Sequence, residues 1–166
     1  MKKLIIATAI AGLFLASCNK ANKDELYPAT TDTTAAGAST VTASGWVPVS
    51  FTAGSQTGKG LTAYSGALST SAVNDEVLES GLVLVFGKTN AAVSLLPFQD
   101  GNVEWSYSVS NGEVSVIAVS SKEVTAASVL TVVLPAAKIA ELEKTGYSKS
   151  DLLNIPYEKA QSLFGL

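Results

Sequence analysis

The stretch from Val103 to Ser120 leaves the chain little choice of local structure. Val103, Trp105, Tyr107 and Val109 alternate with Glu104, Ser106, Ser108 and Ser110, the two-residue period of a strand with one dry and one wet face. Asn111-Gly112 follows, the strongest short turn signal, because both residues accept positive φ and match strand twist. A second strand then returns from Glu113 to Ser120. Closure by two residues fixes the register, with Val109 opposite Val114, Tyr107 opposite Val116, and Trp105 opposite Ala118, a large ring facing a small neighbour. By contrast, Leu82-Val83-Leu84-Val85-Phe86 is apolar on both faces, as expected of a central strand covered on each side. A second layer is therefore required.

Seven strands are expected, at about Trp46–Thr52, Leu61–Leu68, Leu82–Lys88, Ala91–Phe98, Val103–Ser110, Glu113–Ser120 and Ser128–Leu134. Between the second and third, Asn74 to Glu79 suits a short helix capped by Asn74, with Asp75 and Glu76 at the positive end of its dipole and Gly81 at its end. After Pro135, Ile139 and Leu142 suit a helix stopped near Gly146. Pro156 to Phe164 suits another, with Tyr157, Ala160, Leu163 and Phe164 inward. With 166 residues there is room for one domain and a real core. The expected architecture is mainly β: an antiparallel β-sandwich of about seven strands, with short C-terminal helices covering one end. A closed barrel is the alternative.

The N-terminus is a targeting segment and stands apart from the fold. Lys2 and Lys3 precede an uncharged run from Leu4 to Leu15, too short for a spanning helix of about 20 residues. The run ends in Leu15-Ala16-Ser17-Cys18, which resembles the lipobox of bacterial lipoproteins of the Bacteroidota type. The resemblance implies a signal peptide over residues 1–17, cleavage before Cys18, and acylation of its thiol and new amino terminus. Two or three acyl chains hold a protein on a membrane where one gives only marginal residence. Asn19 in place of Asp resembles the sorting pattern of outer-membrane lipoproteins, and Lys23-Asp24-Glu25 resembles the charged tag that directs such proteins to the cell surface. Both the periplasmic leaflet and the surface stay open.

Residues 18–44 form a tether. Ala, Thr and Ser dominate from Ala29 to Ser44, a composition unable to bury enough surface to offset ordering entropy. Within it, Asp32-Thr33-Thr34 resembles the acceptor used in Bacteroidota-type O-glycosylation and makes Thr33 a candidate modification site. The folded domain is expected over residues 45–166, with seven Lys against eleven Asp and Glu, a net charge of -4. The order Trp46, Gly81 to Phe86, Leu96-Pro97, Val132 to Pro135 and Tyr157 with Leu163-Phe164-Gly165 resembles an uncharacterised group of secreted Bacteroidota domains. Leu130 to Pro135 departs from that group's Arg-Tyr-Val-x-Ile-Pro pattern, and Ala160 stands where it often has Cys. The resemblance implies a β-sandwich and carries no activity.

Absent residues narrow the chemistry. The chain has no His, no Arg and one Cys, which removes histidine bases, histidine or thiolate metal sites, internal disulfides and guanidinium grips on phosphate. A pI near 4.9 also speaks against nucleic acid. Ala53 to Gly60 contains the Gly-Lys of a phosphate loop, but Ala53 takes the first Gly place, Gly60 replaces the magnesium-binding hydroxyl, and no helix pattern follows. Asp100-Gly101-Asn102 lacks the spacing and distal Glu of a calcium loop and suits a turn. Glu104 and Glu113 fall about 20 Å apart on the hairpin register, too far for a glycosidase pair.

No cofactor, metal site or catalytic residue is implied, and a hydrolase is the least favoured reading. The leading expectation is a non-enzymatic lipoprotein, held on the membrane through Cys18, whose domain is a structural or protein-interaction module of unknown partner, an envelope protein or a glycan being candidates. The alternative is a carbohydrate or small-ligand module that stacks its ligand on Trp46 and Tyr64, taken as exposed, with Trp105 and Tyr107 in the core.

Overall fold

A computed structural model describes residues 39–57, 59–89 and 92–166. Cys18, Thr33, the expected signal peptide and the tether as far as residue 38 lie outside the described residues. Among the described residues, nine strands form two antiparallel sheets. The first sheet, in the order β1-β9-β4-β5, holds β1 (Thr42–Ser50), β9 (Ala126–Leu134), β4 (Leu82–Lys88) and β5 (Val93–Leu95). The second, in the order β2-β3-β8-β7-β6, holds β2 (Thr52–Gln56), β3 (Thr62–Ser69), β8 (Glu113–Ser120), β7 (Val103–Ser110) and β6 (Phe98–Asp100). The fold is a β-sandwich with short C-terminal helices.

Seven expected strands become nine at two crossings between the sheets. The chain leaves the first sheet at Phe51, where β1 ends and β2 begins, and again at Leu96-Pro97, a cis peptide, where the expected strand Ala91–Phe98 divides into β5 and β6. The aromatic residues beside the crossings meet on one ring. Phe51 lies edge-on to Trp105 at 5.8 Å between centroids, and Phe98 stacks on Trp105 at 6.2 Å. The first strand also starts earlier than expected, so Thr42, Ala43 and Ser44 belong to β1 and not to the tether.

The hairpin keeps its expected register, with Trp105 opposite Ala118, Tyr107 opposite Val116 and Val109 opposite Val114. Its turn differs in shape. Gly112 has φ of 78°, whereas no residue other than glycine has positive φ among the described residues, so Asn111 does not. External bonds hold the turn: Asn111 Nδ2 donates to Asp75 Oδ1 at 2.6 Å, Gly112 N–H to Val73 O at 2.7 Å, and Thr70 N–H to Gly112 O at 2.8 Å.

Strand β4 explains the layering. Val83 and Val85 face the second sheet, packing with Val129, Val133, Trp105, Val114 and Val116. Leu82, Leu84 and Phe86 face the other way, onto a second core with Leu130, Val132, Leu134, Ile139, Leu142 and Leu152. Burying such a side chain contributes about 1.5–3 kcal/mol, so a sheet with two apolar faces must be covered on both. The cover is helical: α2 (Ala136–Lys144), α3 (Lys149–Leu152) and α4 (Tyr157–Phe164) lie on the outer face of the first sheet rather than over one end of the sandwich. A further helix, α1 (Asp75–Ser80), is capped as expected, Asn74 Oδ1 accepting the Val77 N–H at 3.0 Å.

Candidate functional site

The two aromatic residues expected to form a ligand platform are not together. Tyr64 is 9% exposed, on β3 opposite Ala118 and within the core between the sheets. The expectation that it lies open is corrected: Tyr64 and Gly66 alternate with Ser65 and Ala67, so the ring takes the dry face of its strand. Trp46, on β1 of the other sheet, is 37% exposed. Its ring meets Tyr157 edge-on at 5.7 Å, and Tyr157 meets Phe86 at 5.4 Å. The register sets Trp46, Leu130, Phe86 and Leu95 in one row across the first sheet, with Tyr157 over its middle. Trp46 therefore closes the margin of the helical core.

The remaining polar motifs are structural. Ala53 to Gln56 belong to β2, so this part of the phosphate-loop-like run is strand rather than surface loop. Asp100 to Asn102 make the tight turn between β6 and β7 with Gly101 at φ of 57°. Glu104 pairs with Val119 and Glu113 with Ser110, as the hairpin register requires. Among the described residues no group of three or more Cys, Asp or Glu is placed to hold a metal. Asp75, the first residue of α1, takes the bond from Asn111.

A groove of about 470 Å³ lies where β5 passes the connection between α3 and α4, a place no sequence motif marks. Val93, Ser94 and Leu95 form one wall; Leu153, Pro156, Tyr157 and Glu158 form the other. Leu153 is 46% exposed. The edge of β5 has a definite phase. Thr89 N–H donates to Ala92 O at 3.0 Å and Leu96 N–H to Val85 O at 2.8 Å, so Ala92, Ser94 and Leu96 turn their peptide groups toward β4. Val93 and Leu95 turn theirs outward, where they have no hydrogen-bond partner among the described residues.

Other sheet margins are blunted. Strand β1 carries Pro48 and a register shift between Ala43 and Trp46, β2 has a shift between Ala53 and Gln56, and β6 ends in Asp100. Strand β5 has neither proline, bulge nor charge. A helix-backed β-sandwich with one short unblunted edge beside a groove is the class that fold and site define. Compared with family models, curated proteins and solved structures, the chain matches none.

Proposed function

We propose that this chain is a lipid-anchored envelope protein that binds another protein, without catalysis, by accepting a strand at β5. One observation carries the binding mode: Val93 and Leu95 present unpartnered peptide groups beside a groove flanked by Leu153 and Pro156. Strand addition uses such groups for affinity and the neighbouring side-chain sites for specificity. Burial of Tyr64 takes one of two supports from the carbohydrate reading, and Trp46 is engaged with Tyr157. The anchor rests on the lipobox at Cys18, with the outer membrane as the destination its resemblance implies.

Affinity capture from the native envelope tests both parts. The wild type is expected to pellet with membranes and to retain a partner; Cys18→Ser leaves the membrane fraction, and Leu153→Lys stays there but loses the partner. Complete pelleting of Cys18→Ser would remove the anchor from the explanation. Undiminished capture by Leu153→Lys would move the interaction elsewhere on the domain.

A further inference from the structure

We infer, on the strand-addition reading above, that the strand accepted at β5 is β5 of a second copy of this chain, in an antiparallel pairing centred on Ser94. The phase of the edge selects that register. Val93 and Leu95 carry the outward peptide groups, and an antiparallel neighbour exchanges two hydrogen bonds wherever outward residues stand opposite each other. With Val93 opposite Leu95 of the second copy, and the reverse, every outward N–H and C=O of the two residues is met. Centring on Val93 or on Leu95 would pair only one of the two within the strand. The same twofold keeps the side chains in phase. Val93 and Leu95 pack on the helical face, so those of the second copy come to that face too, toward Leu153 and Pro156 across the groove.

Charge favours the same occupant. Lys88 stands opposite Val93 and, two residues beyond Phe86 on β4, takes the helical face. Glu158 lines the groove and follows Tyr157, whose ring meets Phe86 in the row of Leu95. Both are exposed, and neither has a salt-bridge partner among the described residues. A cation thus marks the Val93 end of the strand and an anion the Leu95 end. Rotation about Ser94 brings Lys88 of each copy to the end that holds Glu158 of the other. The remaining polar side chain on the helical wall is already engaged, Asn154 Nδ2 donating to Ser150 O at 2.9 Å. An edge complementary to itself in hydrogen bonds and in charge fits its own copy.

Three residues a side make a small, transient interface, so sedimentation of the full chain carrying Cys18→Ser is expected to show a monomer at about 1 µM and a dimer at about 1 mM. The Val93 and Leu95 amides gain protection from hydrogen exchange over the same range. Leu95→Pro, which removes an outward N–H and no bond to β4, abolishes both effects with the fold unchanged by circular dichroism. Residues meeting at the axis lie about 4.5 Å apart between Cα atoms, within disulfide reach. With oxidised glutathione, Ser94→Cys should therefore crosslink at least about tenfold faster than Ser108→Cys, exposed on the second sheet. Lys88→Glu and Glu158→Lys are each expected to weaken the dimer about five- to tenfold, and the double variant to return within about twofold of wild type. Glu158→Lys also lowers the net negative charge of the domain, so long-range repulsion alone predicts the opposite sign. A monomer at every concentration, or a dimer that Leu95→Pro leaves intact with both amides unprotected, overturns the second copy. Strand addition then stands if envelope extract added to the monomer protects the same two amides, and falls with it if the extract does not. Crosslinking of Ser94→Cys no faster than Ser108→Cys overturns the Ser94-centred pairing.

Discussion

The Tyr107 hydroxyl donates a hydrogen bond to the Val83 carbonyl oxygen at 2.8 Å, joining the second sheet to the central strand of the first. The bond answers a local shortage. Val85 and Gly87 stand opposite Leu96 and Ser94 and bond toward β5, so by alternation Val83 points its carbonyl the same way. There the chain has already crossed to the other sheet at Pro97, and no strand group is left to meet it. A side chain from the facing sheet takes that place.

Tyr107→Phe leaves the Val83 carbonyl without this donor and is expected to cost about 1–2 kcal/mol in urea unfolding. The alkaline limb provides a second readout. Burial raises the Tyr107 pKa above its ordinary value of 10.0, so the folded state holds the phenol proton more tightly than the unfolded chain. That contribution is fully present below the unfolded value and is lost as pH rises through the folded one. Tyr107→Phe should therefore lose less stability than wild type between about pH 8 and about pH 11. Parallel losses in the two proteins would contradict the account.

At Gly66, β3 lies directly against the end of β1. A Cβ there would overlap Val49 Cγ1 and lie 2.6 Å from the Ser50 carbonyl oxygen, both just before the first crossing. Val49 is buried and Ser50 is backbone, so neither yields easily. Gly66→Ala is expected to destabilise by about 1–3 kcal/mol, measured as a lower urea midpoint. An unchanged midpoint would show that the two strands separate more freely than their packing implies.

Thr131 offers the opposite sign. It is 3% exposed on β9, and its Oγ1 is buried with no hydrogen-bond partner among the described residues. Its neighbours on that face, Val129 and Val133, are apolar. Thr131→Val replaces a stranded hydroxyl by a methyl of similar size and should raise stability by about 1 kcal/mol. A loss of stability would place a partner at that hydroxyl.

Local pattern carried much of this fold and little of its site. Strand β4, the hairpin from Val103 to Ser120 and the cap at Asn74 were legible because period, turn chemistry and capping act over a few residues. Strand β2 was not: Thr-Ala-Gly-Ser-Gln at 52–56 is exposed throughout, with no apolar side chain larger than the Ala53 methyl to mark a face. The crossing at Leu96-Pro97 hid inside a run whose residues are apolar on both sides of it, since Leu96 packs between the sheets and Leu95 against the helices. Of the helices after Pro135, α2 and α4 were foreseen as elements and α3 was not, and the face they cover depends on long-range packing. The groove unites β5 with Leu153 to Glu158, more than fifty residues later, and no spacing along the chain reports such a meeting. One overlooked signal was present: Ser148 followed by Asp151 three residues on is the start of α3.

Burial of Tyr64 reverses what a binding assay at that residue would mean. Tyr64→Ala opens the core beside Ala118 and should cost about 3–5 kcal/mol, so any lost ligand retention would accompany lost fold. Trp46→Ala gives up an exposed ring and its edge contact with Tyr157, for which about 1–2 kcal/mol is expected. Urea unfolding of the two variants gives the order directly, and a larger loss at Trp46 than at Tyr64 would invert the assignment of rim and core.

Asp151 supplies the acid-side counterpart to Tyr107. Its carboxylate accepts from the Ser148 hydroxyl at 2.5 Å and from the Ser148 backbone N–H at 2.8 Å, while Ser148 Oγ accepts the Asp151 N–H at 3.1 Å. These bonds, the hydroxyl's first and the backbone's second, hold the Asp151 pKa below its ordinary value of 3.8. They vanish in the unfolded chain, so the charged form's contribution is present above the unfolded value and is lost as pH falls through the folded one. Ser148→Ala removes the larger cause and keeps the backbone donor. The carboxyl titration of Asp151 followed by NMR is therefore expected to move up toward 3.8 without reaching it, and the slope of stability below about pH 4 to flatten. A midpoint unmoved by Ser148→Ala would leave the backbone bond and the nearby charge of Lys159 as the causes and remove the hydroxyl from the cap's electrostatics.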